Sequence, residues 1–201
     1  VKPVRRPRVI VITDGDRIAR GAVEEVARNV GGCAISLSAG NPTPLSGEEL
    51  VKLVRQAQRE PVLVMVDDRG SRRKGPGEAA LEHLARSKEV NLLGVVAVAS
   101  NTEKVMGVPV ACSVDAEGRL IEGPVDKDGH PEPPGHERVE GDTVDVLNTL
   151  DVPVVVGLGD PGKMNRHDLS SRGATLTTKA IRTILDRAGR TAEDGEGASR
   201  P

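Results

Sequence analysis

Not one phenylalanine, tyrosine or tryptophan occurs in this chain of 201 residues. A core must therefore be assembled from Val, Ile, Leu, Ala and three Met, small units that contribute little each. The same absence removes the rings on which unpaired bases stack. A formal net charge of −2 supplies no basic field for a phosphate backbone. Nucleic acid is disfavoured as a partner on both counts. Cysteine is scarce too: Cys33 and Cys112 sit in apolar segments with no second cysteine near either, so no zinc or redox motif forms and both read as buried free thiols. Four scattered histidines, His83, His130, His136 and His167, carry no assigned chemistry. No apolar run reaches the ~18 to 20 residues of a membrane span, and the basic start leads into a run too short for a signal peptide. The expectation is a soluble chain in a reducing compartment, without direct membrane insertion.

What is present is a repeated pairing of strand and carboxylate. Val9-Ile10-Val11-Ile12 runs into Thr13-Asp14-Gly15-Asp16, and Val62-Leu63-Val64-Met65-Val66 runs into Asp67-Asp68. Unbroken β-branched runs are the mark of strands buried on both faces, and in open α/β sheets ligands collect at the carboxyl ends of such strands. A third run, Val154-Val155-Val156, ends in Gly157-Leu158-Gly159-Asp160-Pro161-Gly162-Lys163. The expected working edge is acidic and rich in glycine.

Between these runs the pattern alternates. Ile18, Ala22, Val26 and Val30 make a helical stripe stopped by Gly31-Gly32, and residues 33–37 read as a short strand. A loop from Ser38 to Pro44 leads to a capping box at Ser46 and Glu49 that opens a second helix. A basic loop, Asp68 to Gly77, precedes a third helix, and Leu92 to Ala99 is a fourth strand ending at Ser100-Asn101-Thr102. Val108 to Glu122 reads as a β-hairpin turning at Asp115 to Gly118. A proline- and charge-rich loop follows, then a short helix over 143–150 capped by Asp142, the strand at Val154, and a last helix around Thr177 to Ala188. The fold expected is α/β, a doubly wound and mostly parallel sheet with helices on both faces and an added hairpin. Residues 1–7 are read as an extension, 8–188 as one domain with the hairpin inserted at about 108–122, and 189–201 as a disordered tail.

The turn from Gly157 to Lys163 has the spacing of a phosphate loop, but Met164 stands where a hydroxyl belongs and Pro161 lacks an amide donor. It reads as a tight strand exit with a possible anion contact at Lys163. Asp14, Asp16 and Asp67 are candidate ligands for a hard divalent cation, magnesium or calcium, with Asp160 beside them. Acids after two parallel strands resemble the toprim arrangement, which implies metal-dependent phosphoryl transfer or nucleotide chemistry as an alternative function. The competing reading is that these aspartates cap turns and helices, Asp16 for the first helix in particular. Asp67 and Asp68 are neighbours in an extended chain, so only one can enter a crevice. Ser38, Asn41, Thr43 and Asn101 complete the candidate ligand-binding set.

The strings Ile12-Thr13-Asp14-Gly15-Asp16, Ser38-Ala39-Gly40-Asn41-Pro42-Thr43-Pro44, Leu63 to Asp68, Gly94 to Thr102 and Gly141-Asp142-Thr143-Val144-Asp145 resemble the soluble form of the stage V sporulation protein AE family, from about Arg8 to Ala188. The resemblance implies a non-enzymatic accessory protein of endospore-forming bacteria. Its partners would be the membrane proteins that move calcium dipicolinate into the developing spore and release it at germination. It implies a place in the forespore cytoplasm, held to the spore inner membrane through those partners. It assigns no catalytic residue. A homo-oligomer stays open, and the hairpin, with Val108, Val110, Leu120 and Ile121, is the expected contact surface.

Overall fold

Val9, Ile10, Val11 and Ile12 are all fully buried, and the strand they form, β1 (Arg8–Ile12), lies inside the sheet with a parallel neighbour on each side. The computed structural model describes residues 5–70, 74–102 and 104–197. Residues 1–4 of the expected extension, 71–73 of the basic loop and 198–201 of the expected tail lie outside the described residues. The other strands are β2 (Cys33–Ala34), β3 (Val62–Met65), β4 (Asn91–Val98), β5 (Cys112–Val114), β6 (Leu120–Ile121) and β7 (Val155–Leu158). Their order in the sheet is β2-β3-β1-β4-β7-β5-β6, and only the β5–β6 pairing is antiparallel. The fold is α/β with a mostly parallel sheet, as the strand runs predict.

Alternate residues of β1 enter different cores, because successive side chains of a strand leave opposite faces. Ile10 and Ile12 pack with Ala22 and Val26 of α1 (Arg17–Val30) and with Ala180, Ile181 and Ile184 of α4 (Thr175–Gly197). Val9 and Val11 pack with Leu50 and Val54 of α2 (Gly47–Gln56) and with Leu81 and Leu84 of α3 (Pro76–Arg86). Without aromatic rings, the layers must approach closely to exclude water. Gly94 in β4 shows how closely: a Cβ there would sit 2.6 Å from the Val154 carbonyl oxygen and 2.8 Å from Ile184 Cγ2.

Local chemistry sets the helix starts. Asp16 caps α1 by accepting the Ala19 amide at 2.8 Å. Ser46 and Glu49 form the reciprocal box at the start of α2, with the Glu49 amide 3.2 Å from Ser46 Oγ and the Ser46 amide 2.8 Å from Glu49 Oε2.

Four segments differ from the sequence reading. The strand expected over 33–37 stops at Ala34, since the Ser38 hydroxyl donates to the Ile35 carbonyl at 2.6 Å and accepts the Met65 amide at 2.9 Å, folding Ser36–Ser38 into a 3₁₀ turn. The hairpin is shorter than expected and joins the sheet. Only β5 and β6 pair across the Asp115 turn, β5 runs parallel to β7, and Val108 instead bridges Val139 and is buried. Asp142 does not cap a helix over 143–150. A 3₁₀ turn at Asp145–Thr149 follows Val144, and the Asp145 carboxylate is spent on the amides of Met106 and Gly107, at 3.0 and 2.8 Å. The backbone of α4 is helical to Gly197, past the Ala188 at which composition predicts that structure ends.

Candidate functional site: a crevice between β1 and β4

From β1 the chain first builds outward to β3 and β2, then returns to add β4 on the other side of β1. The loops leaving the carboxyl ends of β1 and β4 therefore part in opposite directions and leave a crevice, the place where open α/β sheets hold ligands. A cavity of about 270 Å3 occupies it. Its walls bring together six of the residues singled out from sequence: Asp14 and Asp16 after β1, Asn41 after β2, Asp67 after β3, Asn101 after β4 and Asp160 after β7.

Three others stand outside that lining. Ser38 is wholly buried and serves the turn described above. Thr43 Oγ1 accepts the Asp67 amide at 2.7 Å and donates to the Asp67 carbonyl at 3.1 Å, so it holds the backbone that presents the Asp67 side chain. Lys163 is paired with Asp160, Nζ to Oδ2 at 3.1 Å. The turn around it closes on itself, with the Gly162 amide on Asp160 Oδ1 at 2.7 Å and the Lys163 amide on the Asp160 carbonyl at 2.8 Å. Both amides are thus taken up by Asp160, one by its carboxylate and one by its carbonyl, and neither is left to cradle a phosphate.

Of the adjacent acids, Asp67 enters the crevice. Asp68 turns to the start of α3, where it accepts the Gly77 amide at 2.7 Å and the Glu78 amide at 2.9 Å. Asp67 is itself fastened, accepting Gly15 N–H at 3.2 Å and Arg69 N–H at 3.1 Å. Asp16 is committed to its cap. The expected cation set of Asp14, Asp16 and Asp67 consequently does not come together as a cage: among the described residues no group of three or more His, Cys, Asp or Glu side chains is placed to hold a metal ion. The divergence of Asp67 and Asp68 also departs from the toprim pattern, in which a later strand delivers two carboxylates together.

Crowding of acids changes their ionisation. Burial pushes the Asp14 carboxyl up to about 8, with the charges of Asp16, Asp160 and Asp67 adding to the shift and the Asp16 amide opposing it. Burial likewise raises Asp67 to about 6, helped by Asp142 and opposed by the Arg69 and Gly15 amides. Near neutral pH the crevice thus carries less negative charge than its count of aspartates implies.

Asp142, Arg69, Ser100 and Thr102 also line the cavity and were not among the residues chosen from sequence. Asp142 arrives on a strap that crosses the end of β4, held by the Ser100 amide on the Glu140 carbonyl at 3.0 Å and the Asp142 amide on Ser100 Oγ at 2.9 Å. The strap lies so near that a Cβ on Gly141 would be 2.2 Å from the Val98 carbonyl oxygen. No spacing in the sequence announces a contact made across so long a loop. Asp168 was missed as well. It is fully buried and fixes the start of α4 through the amides of Leu176 and Thr177, at 2.8 and 3.0 Å, away from the crevice.

Comparison with known proteins bears on the family of the chain. Neither the curated proteins nor the solved structures gave a match. The family model described as stage V sporulation protein AE1, SpoVAE, matches residues 8–188, a span that takes in every strand of the sheet and every wall of the crevice. The chain belongs to the stage V sporulation protein AE1 family.

Proposed function

We propose that the chain is a non-enzymatic accessory protein of sporulation, acting with membrane proteins of the same system in the uptake of calcium dipicolinate during spore formation and its release at germination. Family membership over residues 8–188 carries this reading, since it implies a role in sporulation. Among the described residues no helix is long and apolar enough to cross a membrane. The proposal includes contact with the bilayer through protein partners, on the forespore side of the spore inner membrane. The crevice supports a binding role over a catalytic one, because Asp16 and Asp67 are already engaged by backbone amides and Asp160 by Lys163 and its own turn. Such carboxylates shape a site and set its polarity. Of the expected contact residues, Leu120 is exposed on β6, the last strand of the sheet, whereas Val108 is buried and is no longer a candidate anchor.

Flotation on lipid vesicles tests the proposal. The purified chain should stay in the soluble fraction with vesicles of spore-like lipid alone, and float when the vesicles carry membrane proteins of the same sporulation system. Flotation on bare lipid, or none with the membrane proteins present, would contradict it.

A further inference from the structure

Three successive residues beyond β7, Met164, Asn165 and Arg166, have left-handed backbones, with φ of +45°, +53° and +61°. Non-glycine residues keep that conformation only where their surroundings impose it. Met164 is the anchor: it is buried, and a Cβ on Gly159 would sit 2.8 Å from its Cγ. The Arg166 amide donates to the Lys163 carbonyl at 2.7 Å and the His167 amide to the Met164 carbonyl at 3.1 Å, while His167 Nδ1 lies 3.2 Å from the Ala116 carbonyl oxygen. Held in this way, the turn leaves Asn165, Arg166 and His167 exposed, and Ser170, Ser171 and Arg172 are exposed after it. The start of α1 borders the same segment. A Cβ on Gly162 would be 3.2 Å from Ile18 Cδ1, and one on Gly21 would be 3.3 Å from Ser170 Oγ. Arg17 and Ile18, both exposed, therefore continue this surface.

Its charge is of one sign. From Pro161 to Arg182 the sequence holds five lysines and arginines and one acid, Asp168, which is fully buried and bonded to the amides that start α4. Lys163 is paired with Asp160, and Arg20 on α1 with Glu24. Arg17, Arg166 and Arg172 have no ion pair among the described residues. We propose that this face, residues 165–172 with Arg17 and Ile18, docks an acidic segment of a partner protein. The proposal rests on the reading that the chain works through protein partners and names their chemistry: carboxylates for three guanidinium groups, and an apolar side chain for Ile18, which is 43% exposed. A protein segment fits this face better than an anionic bilayer. Asp16 and Asp160, both on the crevice wall, flank the arginines, so a flat layer of anionic headgroups would press on carboxylates too, whereas a single extended chain can follow the arginines alone. One exposed apolar side chain also gives a bilayer little to bury.

The test titrates a synthetic peptide of glutamates around one central leucine into the full chain labelled with nitrogen-15, read by NMR at about 20 mM and about 300 mM salt. The amides of Arg17, Ile18 and residues 165–172 should shift saturably at low salt, and binding should weaken about tenfold or more at high salt. Arg166→Glu combined with Arg172→Glu should weaken binding at low salt by about tenfold or more, with the Val11 and Val64 resonances unmoved as evidence of an intact sheet. Lys52→Glu combined with Lys88→Glu, on the side of the sheet that carries α2 and α3, should leave binding unchanged. No shifts, shifts spread over the whole surface, or equal binding by the Arg166 and Arg172 variant would overturn the proposal. So would flotation on phosphatidylglycerol vesicles alone, or dimerisation of the unaltered chain, if either is lost in that variant, since the face would then belong to a bilayer or to a second copy. The peptide requires no membrane protein, so its failure rejects this face while flotation with the membrane proteins still judges the proposed function separately.

Discussion

Replacing Asp14 by asparagine should stabilise this protein at neutral pH and do little in acid. In the folded chain the Asp14 carboxyl titrates at about 8, and unfolded at about 3.8. A carboxyl whose folded value lies above its unfolded one favours the folded state fully below pH 3.8 and withdraws that support as pH rises toward 8. At 1.36 kcal/mol for each unit, holding Asp14 protonated in the fold costs about 4 kcal/mol at pH 7 and well under 1 kcal/mol at pH 4. Asparagine is nearly isosteric, cannot ionise, and keeps an oxygen for the Asp16 amide, which Asp14 Oδ1 accepts at 3.3 Å. Urea denaturation followed by circular dichroism at pH 4, 5, 6, 7 and 8 gives the difference between variant and parent. That difference should grow steadily with pH and reach several kcal/mol at pH 7. A difference that is flat with pH, or that favours the parent at pH 7, would refute the claim that burial and three neighbouring carboxylates hold this acid neutral.

Two substitutions probe how the crevice is built. Thr43→Val removes the hydroxyl that meets the amide and carbonyl of Asp67 and leaves that buried amide unpaired, so it should cost about 1–3 kcal/mol in urea melts, with Thr43→Ser restoring most of the loss. Gly94→Ala drives a methyl against the Val154 carbonyl and Ile184 where α4 packs on β4, and thermal melts should show a loss of about 1–3 kcal/mol with no change in the crevice resonances.

Strands and helices were legible wherever one residue's chemistry decided the local structure. The runs at Val9, Val62, Leu92 and Val154 could only be buried strands, and Asp16, Ser46 and Glu49 declared the helix starts they cap. What escaped was decided by contacts across the chain. Ser38 ends its strand because it meets Met65, and Val108 leaves the hairpin because it meets Val139. The crevice was half legible for the same reason. Parallel strands must deliver Asp14, Asp67 and Asp160 to one edge, as the runs imply. Asp142 reaches that edge on a strap whose path depends on Ser100 and on the bare backbone of Gly141. The cation expected at Asp14, Asp16 and Asp67 rested on counting carboxylates. The structure gives each of the three a backbone amide, chemistry that composition does not distinguish from metal ligation.

The proposal that the chain acts in the uptake of dipicolinate, with the crevice as its binding site, is tested most directly by the dipicolinate content of spores whose only copy of the chain carries Asn101→Leu. Asn101 is an exposed wall of the cavity, so the substitution should leave the melting temperature of the purified protein unchanged while blocking the site. The account predicts spores with strongly reduced dipicolinate and variant protein at normal abundance. Normal dipicolinate in spores that contain the folded variant would contradict it.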